Sequence, residues 1–445
     1  MEIIQIEDKS LAHYSYVLIS NGEIALVDPA RNPQPYYDLA KQHDAKIVAV
    51  IETHPHADFV SSHLEIHQTT GAVIYVSKLL GAMYEHKSFD NGDIIHVGGI
   101  TLKALNTPGH SPDSICIIAV NENGKQEMVF TGDTLFIGDC GRPDLREKAG
   151  AITAAREVLA KQMYHSLRDQ LMNLPDDVKV YPAHGAGSLC GRGLSTNNSS
   201  TIGLEKATNW SLQKKSEVEF INELLDNQPF VPKYFTYEVE LNKKGAGKYS
   251  DAIARVKIGS NIPAHSSDYI IIDTRNESDF KKGYFKNAVN LMEDVKFETW
   301  LGSIVAPGEK FYLLAEDKNK LQTLIERIAK IGYEEQIELA FVPDEIKGET
   351  MNTLDVEHFR NSLQDYTVMD IRNPGEIKEK RFFENTLNIP LYELRERIAE
   401  IPTNKPIVVH CAGGYRSPAG ASIIKNLLKN DPGIFDLGEA IKTFE

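Results

Sequence analysis

The run Thr53-His54-Pro55-His56-Ala57-Asp58-Phe59 places His54, His56 and Asp58 within five residues. Two imidazoles and a carboxylate on one loop can converge on a single cation. Three further motifs follow in order, Thr107-Pro108-Gly109-His110, Thr131-Gly132-Asp133 and Tyr181-Pro182-Ala183-His184. Each comes directly after an apolar segment with strand character. Ligands at several strand ends meet at one edge of a sheet, where open loops leave room for substrate. Any one of these histidines alone reads as an ordinary hydrogen-bonded residue; four such elements in succession predict a metal centre.

A second chemistry is written around Cys411, in Val409-His410-Cys411-Ala412-Gly413-Gly414-Tyr415-Arg416-Ser417-Pro418. A strand is expected to end at His410 and a helix to begin near Ser417. The intervening amides, including those of Gly413 and Gly414, the helix N-terminus and Arg416 all favour an anion. That environment lowers a thiol pKa and makes a thiolate nucleophile. The same cradle can hold the outer sulfur of a cysteine persulfide. The alternative is a buried, inert thiol.

The elements that must carry these groups read as an α/β and α+β multidomain chain. At 445 residues, about three domains are expected at roughly 150 residues each. Candidate strands are 46–51, 72–76, 100–105, 114–120, 127–130 and 179–181, with Gly, Pro, Asn and Asp at their ends. A helical stretch follows the polar run at 195–200, and Gln228-Pro229-Phe230-Val231-Pro232 breaks it. Beyond this lies a weak internal repeat. Tyr269-Ile270-Ile271-Ile272-Asp273-Thr274-Arg275-Asn276 matches Tyr366-Thr367-Val368-Met369-Asp370-Ile371-Arg372-Asn373, and the apolar run at 310–314 matches that at 406–410. Domains are therefore expected at 1–232, 233–354 and 355–445. Where Cys411 would align, the first repeat has Ala315, followed by Glu316 and Asp317. Lacking thiol and glycine cradle, it is expected to serve for docking or spacing.

Composition bounds the rest. The net charge of −15 speaks against a nucleic-acid partner, which calls for a basic face. No run of about 18 apolar residues suggests a membrane span, and the N-terminal residues lack the basic and apolar regions of a secretory signal. A cytoplasmic location is expected. Four cysteines, Cys116, Cys140, Cys190 and Cys411, are too few for a disulfide framework.

The metal motifs resemble those of the metallo-β-lactamase superfamily, which carries T-H-x-H-x-D-H followed by His, Asp and His. The resemblance covers about the first 230 residues and implies an αββα sandwich. Phe59 departs from the pattern: the superfamily's dinuclear zinc hydrolases have a metal-binding His there. Within the superfamily the sequence is most similar to the persulfide dioxygenase branch. That resemblance implies one Fe(II) per chain, bound by His54, His110 and Asp133, with open positions for O2 and substrate. His56, Asp58 and His184 would then orient ligands and bound water, or simply hydrogen-bond within the fold. The segment Gly138-Asp139-Cys140-Gly141-Arg142-Pro143-Asp144 also resembles this branch; Arg142 would meet an anionic part of the substrate or fix the loop by a salt bridge.

Residues 355–445 resemble a rhodanese through the C-x-x-G-x-R-S pattern. Related phosphatase loops have five residues between Cys and Arg where this chain has four, which suits sulfur better than phosphate. Cys190, on the glycine-rich loop after His184, can reach the metal pocket and hold sulfur, or pack as a loop thiol. Cys116 and Cys140 are expected to be structural.

Together these resemblances imply oxidation of a low-molecular-weight persulfide to sulfite, with Cys411 relaying sulfane sulfur to sulfite or a thiol acceptor and giving thiosulfate. They also allow a homo-oligomer. Two rivals stand beside this reading. One is a dinuclear zinc thioester hydrolase similar to glyoxalase II; the other is a non-catalytic sulfur carrier built on Cys411.

Overall fold

The computed structural model describes residues 1–146, 155–260, 269–346 and 348–444. The chain forms two compact units, Met1–Ala252 with Ala329–Gly332, and Ile253–Ile328 with Tyr333–Glu445.

The first unit holds two six-stranded sheets. One is built in sequence order from β1 (Glu2–Asp8), β2 (His13–Ser20), β3 (Glu23–Val27), β4 (Lys46–Ile51), β5 (Val73–Val76) and β6 (Lys87–Ser88). The other contains β7 (Ile94–Val97), β8 (Ile100–Asn106), β9 (Ile115–Val120), β10 (Gln126–Gly132), β11 (Lys179–Pro182) and β12 (Ser200–Thr201), ordered from β12 to β7. Between them lies a core that includes Tyr16, Leu18, Val27, Ile51, Leu102, Ile117 and Phe130. Helices Gln34–Gln42 and His63–Thr70 bury Tyr36 and Ile66 on the outer face of the first sheet. Helices Arg156–His165 and Glu217–Leu225 bury Met163, Phe220 and Leu224 on the second. This is the expected αββα sandwich. Strands covered on both faces cannot alternate apolar with polar residues, which explains why β9 reads Ile-Cys-Ile-Ile-Ala-Val with every residue buried. Each such aliphatic side chain contributes about 1.5–3 kcal/mol when fully buried.

All six expected strands form, with ends within two residues. The N-terminal hairpin of β2 and β3 lies outside that expectation, although Asn21-Gly22 signals it. Both turn residues have positive φ, 48° and 78°, the backbone that a two-residue hairpin turn of matching twist requires.

The first unit also runs past the expected boundary at 232. Helix Phe235–Lys244 belongs to it, because Asn242 is buried against the His56–Ser61 loop. Its Nδ2 donates to the carbonyls of His56 (2.9 Å) and Phe59 (2.7 Å), and its Oδ1 accepts from the Ser61 amide at 2.9 Å. Among the described residues no helix is long and apolar enough to cross a membrane.

The second unit contains two parallel sheets. The first has β13 (Ile258–Gly259), β14 (Ile270–Asp273), β15 (Ala288–Asn290), β16 (Phe311–Leu314) and β17 (Ile337–Phe341), in the order 13-17-16-14-15. The second has β18 (Thr367–Asp370), β19 (Leu387–Asn388), β20 (Ile407–His410) and β21 (Ile434–Asp436), in the order 19-18-20-21. The repeat extends to individual hydrogen bonds. Arg275 grips Asp273 as Arg372 grips Asp370, each with a 2.6 Å Nη2–Oδ2 contact. Asn290 and Asn388 each donate to the carbonyls of the Asp and Arg of their own repeat.

Candidate metal centre and cysteine loop

Strand register brings the metal motifs together. Val27 pairs with Ile51, so Asp28 lies beside the start of the His54 loop, where it accepts from the Thr53 amide (2.7 Å) and hydroxyl (2.8 Å). Gly132 pairs with Pro182, so Asp133 and His184 leave adjacent strands together. Gly132 has φ +49°, and a Cβ there would stand 2.6 Å from Thr53 Oγ1, so only glycine allows the two loops to approach. His54 follows a strand of one sheet, whereas His110, Asp133 and His184 follow strands of the other. The site therefore spans both sheets of the sandwich rather than one sheet edge, a correction that only their stacking supplies.

Asp133 is the centre of the cluster. Its Oδ2 lies 3.7 Å from His54 Nε2 and 3.5 Å from His110 Nε2, and its Oδ1 lies 3.5 Å from His184 Nε2. Donors bound about 2.0–2.2 Å from one ion stand roughly 3–3.5 Å apart, so these spacings suit coordination. Both Asp133 oxygens and His184 Nε2 are buried without a hydrogen-bond partner. Leaving such groups unpaired is costly, and a cation would satisfy them. The ligand atoms of His54, His110 and Asp133 fall within 4.8 Å of one another, as do those of His56, Asp58 and His184, and those of Asp133, His184 and Cys190.

His56 is shared between two surroundings. Its Nε2 lies 3.1 Å from Asp28 Oδ1 and 3.5 Å from Glu52 Oε2. The sequence motifs leave out both acids, although Asp28 and Glu52 stand immediately after apolar strands β3 and β4. Phe59 is buried with its ring centroid 4.3 Å from that of His56 and 3.8 Å from that of His13. An aromatic wall thus occupies the loop position from which a further ligand would come.

The electrostatics follow from burial. Desolvation pushes the Asp133 carboxyl up to about 6, against the pull of His184. Burial opposes a charge on His184, but Asp133 and Asp58 outweigh it and raise its pKa. Burial, together with the carboxylates of Asp58 and Asp133, raises the Cys190 thiol well above its ordinary value. A bound cation would reverse the shifts on Asp133 and Cys190. Glu52 is likewise raised, by burial and then by Asp28, while burial drives His63 down to about 3.

Arg142 is 1% exposed and engaged within the fold. It pairs with Asp144 at 2.7 and 2.6 Å and donates to the carbonyls of Leu189 and Phe230. These are contacts of the kind that the loop-fixing alternative requires. Cys116 is a core residue of β9, hydrogen-bonded to the Thr107 hydroxyl at 3.2 Å, and Cys140 is buried in the same cluster.

The cysteine loop forms where expected, between β20 and helix Ser417–Leu427. Cys411 is 1% exposed, and the Gly414 amide donates to its sulfur at 3.2 Å. Gly414 has φ +97°, and a Cβ there would meet the Glu439 amide at 2.6 Å; at Gly413 it would meet nothing nearer than Lys442 Cε at 4.0 Å. The loop therefore demands glycine only at Gly414. Arg416 does not face Cys411 as an unpaired cation, because both its terminal nitrogens bond Glu376. No local pattern links Glu376 to the loop, because it lies 40 residues earlier in sequence, as the third residue of helix Pro374–Glu379, whose N-terminus it also caps. Ala315 stands at the corresponding place after β16 and lines a cavity of about 330 Å³ with Arg275 and Glu316.

Residues 9–184 match the metallo-β-lactamase superfamily, and residues 355–440 match the rhodanese-like domain. The chain is 35% identical to the cytoplasmic hydroxyacylglutathione hydrolase of Arabidopsis thaliana, over 39% of this chain and 63% of that protein. It is 30% identical to the mitochondrial persulfide dioxygenase ETHE1 of Mus musculus, over 48% of this chain and 76% of that protein. Among solved structures, a metallo-β-lactamase from Staphylococcus aureus subsp. aureus COL is 32% identical with a TM-score of 0.69, covering 77% of this chain and 99% of its own. The chain spans 59 to 63% of the length of the first curated relatives it matches. On the shared fold and these relatives, the chain belongs to the metallo-β-lactamase superfamily, as a fusion of an ETHE1-related domain to a C-terminal rhodanese-like domain.

Proposed function

We propose that the protein oxidises a low-molecular-weight persulfide with O2 at one Fe(II) and relays sulfane sulfur through Cys411. The reading rests above all on the combination, in one chain, of the buried His54–His110–Asp133 set with a rhodanese-type cysteine loop. In balanced form, R–S–SH, O2 and water give R–SH and sulfite with two protons. His54, His110 and Asp133 would hold the metal. When bound, Fe(II) supplies the redox activity that O2 chemistry needs and zinc lacks. The protein's own groups set the surroundings: His184 Nε2 lies 3.5 Å from both Asp133 Oδ1 and Asp58 Oδ2, and buried Phe59 packs against His56 and His13. Cys190, beside Asp133 and His184, is placed to contact the substrate's sulfur. Cys411 accepts a sulfane sulfur as persulfide, steadied by the Gly414 amide, and hands it to sulfite or a thiol. Tethering the two activities raises the local concentration of one site's product at the other.

A second reading has its own support. The His56–Asp58–His184 set and the similarity to a hydroxyacylglutathione hydrolase fit a dinuclear zinc centre that activates water. A pure sulfur carrier would leave the buried metal-ligating cluster without a role. The deciding experiment is metal analysis with oxygen uptake on anaerobically purified protein given a persulfide. One iron per chain with uptake and sulfite formation supports the dioxygenase; two zincs with thioester cleavage and no uptake supports the hydrolase.

A further inference from the structure

Two loops are fastened together beside Asp133. Residues 138–142 follow β10 and that aspartate; residues 185–193 follow His184 and carry Cys190. Asp139 makes the fastening. It is buried, and its Oδ2 accepts from the backbone amides of Arg192 and Gly193, both at 2.8 Å. Its Oδ1 accepts from the Trp210 indole at 2.7 Å. Trp210 is held in turn, with the Arg192 guanidinium 4.8 Å and the Lys215 ammonium 4.7 Å from its ring centroid, and with Phe220 stacked at 5.7 Å. The Arg142 amide donates to the Cys190 carbonyl at 3.0 Å, which joins the same two loops backbone to backbone. The Cys190 sulfur thereby stands within 4.8 Å of ligand atoms of both Asp133 and His184. Gly185, Gly187, Gly191 and Gly193 all lie in this loop, and so glycine-rich a segment has wide conformational freedom unless it is tied. Hydrogen bonds to an ionised carboxylate are among the strong ones, and here one carboxylate takes three.

We propose that Asp139 is the positioning residue that holds the Cys190 thiol at the metal cluster. The inference rests on the reading above, in which Cys190 contacts the substrate's sulfur. Asp139 acts through the loop: it grips the amides of Arg192 and Gly193, two and three residues beyond Cys190, and anchors them to Trp210. The grip is made wholly of protein groups, so the thiol is in place before metal or substrate binds. Without the carboxylate, two buried amides and an indole N–H lose their acceptor, and the loop gains by opening to water. Asp133 keeps its place when this happens, because the pairing of Gly132 with Pro182 fixes the strand end that carries it.

The test uses the full-length protein loaded anaerobically with Fe(II). Asp139→Ala should keep its iron and speed alkylation of Cys190 by iodoacetamide about tenfold, the scale of lost hydrogen bonds to a buried charge. Buried Cys116 serves as the internal standard, and its alkylation should not change; peptide mass spectrometry reads both thiols. Persulfide-dependent oxygen uptake should fall about fivefold in kcat/KM when Cys190 is present, but less than about twofold in protein already carrying Cys190→Ala. Losses that multiply in the double variant, or Cys190 alkylated no faster than in wild type, would overturn the role of Asp139. If Asp139→Ala does not fold, Trp210→Phe removes one donor and keeps an aromatic ring. Cys190 alkylation should then rise about threefold, and an unchanged rate overturns the proposal. Undiminished uptake by Cys190→Ala would remove the Cys190 contact and this inference with it. A wild-type protein without uptake would instead sink the dioxygenase reading, and the alkylation rates alone would then decide whether Asp139 holds the thiol in place.

Discussion

Glu376 and Arg416 form a two-point ion pair at 2.6 and 2.7 Å beneath the Cys411 loop. Arg416 is mostly buried, and its charge is directed into the loop's foundation. Charge-assisted pairs of this fork geometry are the strong ones. The pair ties the Cys411 loop to helix Pro374–Glu379.

Glu376→Gln should therefore loosen the loop. The expected cost is about 1–3 kcal/mol, since a mostly buried guanidinium loses a charged partner. Thermal unfolding measures it, and sulfur transfer should fall with Cys411 still present. Arg416 holds the Glu376 carboxyl below its ordinary value although burial opposes this. A depressed carboxyl contributes stability that is present above its unfolded pKa and is lost as pH falls through the folded one. The difference between variant and wild type should accordingly shrink only in acid, below about pH 4.5.

Metal affinity should begin to weaken as pH drops below about 6, where protons compete for the Asp133 carboxyl of the metal-free protein. In metal-free protein the sign is reversed from the usual acidic case. Ionising Asp133 costs stability as pH rises from the unfolded value near 3.8 towards about 6. Metal should therefore stabilise the fold most at neutral pH. Melting temperatures with and without metal across pH 4.5–7.5 read both effects; Asp133→Asn should lose the metal and flatten the difference.

Phe59→His restores an imidazole where the ring now contacts His13 and His56. Metal content should rise from about one towards two per chain when the variant is expressed with added zinc, and persulfide-dependent oxygen uptake should fall. Loss of the buried ring should cost about 1–3 kcal/mol. Elemental analysis with a melting curve separates gain of a site from loss of the fold.

Asn242→Ala removes the side chain that ties the carbonyls of His56 and Phe59 and the Ser61 amide. Buried groups left unsatisfied cost about 1–3 kcal/mol. Metal affinity should weaken with no ligand altered, measured by competition with a chelator. Asn242→Asp keeps the acceptor for Ser61 but turns a carboxylate oxygen toward the two carbonyls, and should weaken metal binding at least as much as Asn242→Ala.

Cys411→Ser should abolish sulfur transfer and the 32-dalton-scale mass gain of about one sulfur on the loop peptide, while leaving melting behaviour within about 0.5 kcal/mol. Oxygen uptake by the N-terminal centre should persist in this variant.

The sequence by itself determined the candidate ligand types and the cysteine loop. His54, His110, Asp133 and His184 each follow an apolar strand, and a short run that is apolar at every position marks a strand buried on both faces. Helix Ser417–Leu427 begins where Ser417-Pro418 suggests, because proline suits the first turn of a helix. The Asp-x-Arg-Asn repeat likewise announced two related layers. What tertiary structure alone decided is which distant residues meet. Asp28 reaches His56 because Val27 pairs with Ile51, and Cys190 reaches Asp133 because Gly132 pairs with Pro182 and the following loop folds back. Likewise, Asn242 clamps the metal loop from a helix placed beyond the expected boundary, and Trp300 lies against Arg416 from the other repeat. Local pattern encodes periodicity and turns, whereas register, sheet stacking and the packing of one repeat on another are set by the burial of many apolar side chains at once. No short stretch of sequence carries that information.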